Sequence, residues 1–324
     1  VIDNKAKFFG IDTRFKFLAL GCRKAEQGNP KRKPIRLLHE RGVPAGLEIV
    51  GAARVGREPL KRLRPDMSIP EVRSDNEWRV FRKISANGTG WDAADHGWRA
   101  EFCREVDMTR DRKHFRQNGL AGMPLVEGRM VQQHRFGAKG HMSGSGRRAA
   151  WQSYPAGKSR LSPQFWIEES ALSPKARARS RMLRAGFCDI AGQTNERSMM
   201  AALIPPGAIC GNKVPTVLFP DDPSEERLLV WTAVMNSIPF DWMLRRVLTT
   251  TVNYFVLLGL PLPKIAKNGL PWKRLAKAAE ALRQMDRPES GLDVSGIGRI
   301  RAEIDVDVAI AYGLEFEDLE IMLQ

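Results

Sequence analysis

The chain has 324 residues, 43% apolar and 27% charged; 52 lysines and arginines against 37 acids leave a net charge of +15 and a pI near 10. This composition excludes a disordered chain, allows a substantial core in two or three lobes, and favours a polyanionic partner, because each neutralised phosphate releases a condensed counterion. No apolar run is long enough to span a bilayer (Val252–Leu262 is short and contains proline), so nucleic acid is expected in preference to a membrane surface.

Cys22, Cys103, Cys188 and Cys210 lie far apart without Cys-x-x-Cys spacing, which argues against a zinc site or disulfide framework and suits a cytoplasmic setting. Val1–Phe9 has no signal-peptide core, and the missing initial methionine suggests excision from something longer. In chain order, residues 1–20 read as an extended, partly buried strand anchored by Phe15, Phe17, Leu18 and Leu20. Lys31-Arg32-Lys33 with Arg36, and Arg57 with Lys61, Arg62 and Arg64, are basic clusters among Pro and Gly. Singly they read as solvated loop charge, and together they enlarge the positive field. Trp78–Trp98 reads as irregular, with a turn at Asn87-Gly88-Thr89-Gly90 and with Trp78, Trp91 and Trp98 as packing anchors. Cys103–Arg116 alternates charge as an exposed helix or loop does, and Gly119–Pro124 reads as a boundary.

Val126–Arg160 sets Arg129, Arg135, Lys139, Arg147, Arg148, Lys158 and Arg160 against the single acid Glu127, in a Gly- and Ser-rich segment that also carries Gln132 and Gln133. The forked side chains of Arg and Gln can pair with guanine and adenine edges, so this segment is the candidate reader of DNA; the bland reading is a mobile surface loop. In Ser173–Arg184, a Ser173-Pro174 start predicts a helix with Arg177, Arg181 and Arg184 along one side. Such a helix would touch phosphate and set register, not sequence.

From Ser198 the pattern becomes that of a buried core. Two apolar runs broken at Pro205-Pro206-Gly207 and Gly211-Asn212 predict strands, and Val214–Phe219 predicts another. Asp222-Pro223-Ser224-Glu225 predicts the start of a long amphipathic helix, capped by Asp222 and kinked or broken at Pro239. Helices are also predicted over Trp272–Met285 and Ile297–Tyr312, the latter ending at Gly313. From Arg301 onward the surplus is acidic, which suits packing helices and not a phosphate surface. The expected fold is mixed α/β (α+β): a connector lobe over 1–125, a strand-rich recognition core over 126–265 flanked by helices, and a helical C-terminal segment over 266–324.

The order of Asn195-Glu196-Arg197, Pro205-Pro206-Gly207, Met235-Asn236-Ser237 with Phe240-Asp241, Val252-Asn253-Tyr254-Phe255 and Leu260-Pro261-Leu262-Pro263 resembles the C-terminal target-recognition region of N6-adenine DNA methyltransferases. The similarity is to the type IIG restriction–modification and phage-defence branch, and it extends to Phe8–Leu20, Val126–Phe136 and Arg301–Leu314. It implies double-stranded DNA and a methyltransferase catalytic domain, on the same polypeptide or a separate chain, as partners. S-adenosylmethionine is then expected in that catalytic domain, with no cofactor on this chain.

No Gly-rich loop follows a strand here, and Asn29-Pro30-Lys31 and Ile204-Pro205-Pro206-Gly207 both fall short of the Asn/Asp-Pro-Pro-aromatic loop that clamps a flipped adenine. The five histidines have no metal spacing, and no acid-x-Lys pair completes a nuclease site. The expectation is therefore a binding module with no catalytic residues and no metal. Candidate base readers are Arg129, Gln132, Gln133, Arg135, Asn195, Arg197 and Lys213; candidate phosphate contacts are Lys139, Arg147, Arg148, Lys175, Arg177, Arg181 and Arg184. Asn236, Asp241 and Asn253 are expected to be structural. The alternatives are a sequence-nonspecific DNA-binding or assembly subunit of a defence complex and, third, a degenerate nuclease.

Overall fold

The computed structural model describes residues 1–4, 7, 9–13, 15–21, 33–38, 52–64, 66–92, 98–117, 122–191 and 196–324. They form two units, Val1–Ala86 with Phe316–Gln324, and Asn87–Glu315. The fold is mixed α/β.

In the first unit, the short antiparallel pairs Ile2–Asp3 with Lys16–Phe17 and Ile35–Leu37 with Ala53–Val55 accompany the helices Arg57–Leu63, Asp75–Asn87 and Phe316–Leu323. Phe15, Leu18 and Leu20 are exposed and not buried anchors, because two-residue strands offer no face to cover. Asn4 instead organises this segment, its buried amide donating to the carbonyls of Phe9 and Ile11. The stretch read as irregular is helical as far as Asn87. Trp78, Phe81 and Ile84 recur at three-residue spacing and are buried along one face, a period lost when the segment is read through to Trp98. Buried Asp318 of the C-terminal helix accepts from Arg79 Nη1 at 2.7 Å and Lys83 Nζ at 2.8 Å.

The second unit is built on two four-stranded sheets. In the first, Arg184–Phe187 lies between Ala201–Ile204 and Thr216–Leu218, with Glu101–Cys103 beyond the latter, all antiparallel. All four residues of Arg184–Phe187 are buried, as a central strand covered on both faces requires. In the second, Met123–Val126 runs parallel to Ile209–Cys210 and antiparallel to Trp166–Ile167, which also pairs with Phe115–Arg116. The two apolar runs predicted after Ser198 are thus strands, but of different sheets. Glu101–Cys103, placed by sequence in a connector lobe, pairs with Thr216–Leu218.

Glu225–Asn236 packs against Ala201–Ile204 on one side and against Leu270–Met285 and Ile297–Ala311 on the other. It is therefore buried all round from Arg227 to Asn236, and not amphipathic as expected. Its N-cap is Ser224, which accepts from the Arg227 amide; Asp222 instead holds the Arg227 guanidinium at 2.9 Å above the ring of Trp272. The helix breaks where Pro239 predicts: Ser237 ends it and caps Ile238–Arg245, accepting from the Phe240 amide.

Asn236 and Asp241 are structural. The Asn236 amide exchanges two bonds of 2.9 Å with the Ala201 backbone, and Asp241 accepts from the amides of Ser198 and Met199. Asn253 differs: it is half-buried at the N-cap of Tyr254–Leu258, with no side-chain capping bond. Trp78, Trp91 and Trp98 are buried, the last two donating to the carbonyls of Leu260 and Pro263. Gly313, at φ 66°, ends Ile297–Ala311 as predicted.

Candidate nucleic-acid interface

The tight hairpin Val131–Gln132 with Arg135–Phe136 turns at Gln133-His134. His134 adopts φ 60° and its amide donates to the Ala201 carbonyl, docking the turn onto the first sheet. Its ring is buried, and burial, with the Arg301 charge acting in the same direction, pulls its pKa down to about 3. Gly137 leaves the hairpin at φ 76°, where a Cβ would lie 2.8 Å from the Arg160 carbonyl, so only glycine fits.

Beside this hairpin lies a cleft of about 820 Å³. Six of the seven candidate base readers line it: Arg129, Gln132, Gln133, Arg135, Arg197 and Lys213. The seventh, Asn195, lies outside the described residues, as do Cys22, Lys31, Arg32, His39 and His96. Residues more than 80 positions apart meet here because Gly128 packs close to the strand partners of the first sheet. A Cβ on it would sit 3.1 Å from the Lys213 carbonyl and 3.2 Å from Cys188 Sγ.

The candidates are not equivalent. The Arg129 guanidinium lies 4.7 Å from the centroid of the Trp151 ring, held by a cation–π contact and exposed for further bonding. The Gln132 side chain makes no hydrogen bond among the described residues, whereas Gln133 donates its amide to the Asn236 carbonyl at 3.0 Å. Lys213 Nζ stands 3.7 Å from Asp189, whose carboxylate is held more closely by Arg104 at 2.7 Å. Arg135 is bound on two sides: Nε donates to Asp286 at 2.7 Å, and Nη2 to the Tyr154 and Pro155 carbonyls and Ser159 Oγ. That arginine ties the hairpin to residues 154–159 and is not free to read a base.

Burial pushes the Cys188 thiol up to about 11, so it faces the cleft as an apolar group. Burial also raises the Glu127 carboxyl, against the pull of Arg129 and His141, and leaves its Oε1 without a hydrogen bond. Arg301, which the sequence placed in an acidic packing tail, lines the same cleft. No sequence signal marked it, since its relevance comes from helix Ile297–Ala311 packing beside Leu270–Met285 and Ile238–Arg245.

The phosphate candidates divide differently. Lys139 lines the cleft, and Arg148 is exposed between the paired strands Lys139–Ser143 and Ala150–Ser153; Arg147 sits in the same turn. The predicted basic helix is shorter than expected. It runs Pro174–Ser180 from a Ser173 cap, so Arg184 opens a buried strand and does not continue the helical face. Arg184 is 0% exposed and forms a two-pronged ion pair with Glu105 at 2.6 and 2.9 Å, which removes it from any surface contact. Lys175 pairs with Glu101, Arg177 donates to the carbonyls of Glu169 and Leu172, and Arg181 pairs with Glu169. All three make local bonds, but Lys175 and Arg181 stay exposed while Arg177 is half-buried.

No protein-family model and no curated protein matches the chain. Solved structures do match. The HsdS subunit from Thermoanaerobacter tengcongensis is 9% identical with a TM-score of 0.32, over 74% of this chain and 51% of that one. The type IIL restriction-modification enzyme MmeI, solved in complex with DNA, is 13% identical with a TM-score of 0.33, over 73% of this chain and 35% of that one. The chain thus spans about half the length of the first and a third of the second. Among the described residues no helix is long and apolar enough to cross a membrane, and no group of three or more His, Cys, Asp or Glu could hold a metal ion.

Proposed function

We propose that this chain reads a short duplex sequence as the target-recognition region of a site-specific N6-adenine DNA methyltransferase of a restriction–modification or phage-defence system. The observation that carries this reading is the cleft that gathers Arg129, Gln132 and Lys213, with Arg129 held against the Trp151 ring, in a chain of net charge +15. Arginine and glutamine forks held on a folded wall suit base edges, and the surplus charge suits phosphate. Adenine methylation and S-adenosylmethionine binding would belong to a catalytic domain outside this chain, a part of the reading motivated by the sequence resemblance alone.

Selection of bound duplexes from a randomised pool, followed by affinity measurements at matched salt, tests it. The expected outcome is enrichment of one short motif. Arg129→Ala or Gln132→Ala then costs about 1–3 kcal/mol on the motif and little on scrambled DNA. A pool recovered without enrichment, bound alike by both variants, would leave only sequence-nonspecific binding.

A further inference from the structure

Several arginines in the second unit that are wholly or partly withdrawn from solvent are matched to an acid: Arg135 to Asp286, Arg179 to Glu101, Arg184 to Glu105, Arg227 to Asp222, Arg245 to Asp241 and Arg283 to Glu280. Arg301 is an exception. It is half-buried against the cleft, its Nε is out of contact with solvent and has no hydrogen-bond partner, and it forms no ion pair among the described residues. Asp305, one turn along the same helix, accepts from the Ile238 amide at 2.6 Å. Arg197, also half-buried and lining the cleft, forms no ion pair among the described residues either.

These arginines are close enough to act on each other. Burial lowers the Arg301 guanidinium from its ordinary value, and the charges of Arg135 and Arg197 lower it further, against the weaker opposite pull of Glu196 and Asp305. His134, the neighbouring titratable ring, is neutral at physiological pH and offers no compensation. Arg197 and Arg301, half-buried in one wall with no ion pair among the described residues and with the Arg301 Nε unpartnered, form a site electrostatically incomplete without an anion. The cations of the cleft thus fall into two groups, Arg129 and Lys213 acting on Cys188, and Arg135 and Arg197 acting on Arg301.

We propose that Arg301 and Arg197 bind a backbone phosphate of the DNA in this cleft, so that Arg301 contributes affinity and register while the Arg129 and Gln132 group contributes sequence preference. This rests on the reading of the cleft as a DNA interface, and it moves Arg197 from the base readers to the phosphate contacts. It also assigns a DNA contact to a helix that the acidic composition of the tail had set apart. The guanidinium fork matches two phosphate oxygens, which an ammonium cannot do.

The test uses the whole chain with Arg301→Met, which keeps the apolar stem packed, Arg301→Lys, which keeps the charge, and Arg129→Ala as the comparison. Each is titrated against the selected duplex and a scrambled one across a salt series. Arg301→Met is expected to bind both duplexes roughly tenfold more weakly, with the slope of log affinity against log salt smaller by about one unit. Arg301→Lys should retain the slope and lose part of the affinity, a split that a purely structural role would not produce. Because its removal relieves repulsion, Arg301→Met should melt no lower than the parent chain at low salt.

A loss confined to the selected duplex would make Arg301 a base reader, and unchanged affinity and slope on both would mean that it touches no DNA; either overturns the proposal. If Arg129→Ala discriminates while Arg301→Met does nothing, the sequence-reading function stands and the phosphate site falls. If the parent chain shows no duplex preference yet Arg301→Met lowers the slope, the phosphate site stands and sequence reading falls. A lower melting temperature with both salt slopes intact identifies Arg301 as structural and also overturns the proposal.

Discussion

Replacing Arg184 by methionine tests whether a basic residue here belongs to the core or to a DNA surface. In the fold, Arg184 Nε and Nη2 grip the two oxygens of Glu105, Nη2 also donates to the Ala208 carbonyl, and both side chains are fully withdrawn from solvent. Glu105 in turn accepts from the Cys210 amide at 2.8 Å and Thr216 Oγ1 at 2.9 Å, so one ion pair joins strands of both sheets. Methionine fills the apolar volume of the stem but leaves a buried carboxylate without its cation. Removing one partner of such a pair costs about 3–5 kcal/mol. In a unit of this size that corresponds to a fall of roughly 6–20 °C in melting temperature. Urea unfolding followed by tryptophan fluorescence measures it directly. Adding Glu105→Gln should recover part of the loss, because the neutral amide needs no counter-charge and its oxygen still serves the Cys210 amide. If Arg184→Met left stability within about 0.5 kcal/mol of the parent while weakening DNA binding, the guanidinium would face phosphate and the reasoning would be wrong.

Two further outcomes follow from the same geometry. The folded pKa of His134, depressed to about 3, means that the unfolded chain takes up a proton near pH 6.5 that the folded chain refuses. Stability from this group is therefore complete above pH 6.5 and declines as pH falls towards 3. At pH 4.5 the parent should have lost about 2–3 kcal/mol more than His134→Asn, which tolerates the positive φ; equal losses in paired urea titrations at pH 7 and 4.5 would contradict this. Asn236→Ala should cost about 2–3 kcal/mol for its two buried bonds to Ala201, whereas Asn253→Ala, with no capping bond to lose, should stay within about 0.5 kcal/mol. Equal costs in thermal melts would remove the distinction.

Local signals carried much of the fold. Ser173-Pro174, the break at Pro239 and Gly313 each act through their own backbone chemistry, so the helix boundaries they imply survive folding. Pairing was less legible. Ala201–Ile204 and Ile209–Cys210 are separated by one turn yet join different sheets, because the first finds its partner in Arg184–Phe187 and the second in Met123–Val126. Nothing in a four-residue apolar run specifies which distant strand will cover it. The uniform burial of Glu225–Asn236 was hidden for the same reason, since its second covering layer comes from helices that begin more than thirty residues later.

The candidate interface shows where residue-type arguments succeed and where they stop. Clustering of Arg129, Gln132 and Gln133 is local, and the short hairpin preserves it. Whether an arginine is available is not a local property. Arg135 is neutralised by Asp286, 151 positions away, and Arg184 by Glu105, 79 positions away, while Arg301, brought to the cleft by helix packing, has no ion pair among the described residues. Charge counting therefore overestimates a binding surface by including cations that the core has already paired. In this chain the segment with the densest run of arginines, Ser173–Arg184, contributes mostly internal bonds. The cleft, also lined by four arginines, leaves Arg129, Arg197 and Arg301 without an ion pair among the described residues, and it is the openness of a cation, set by the position of distant acids, that decides whether a polyanion can use it.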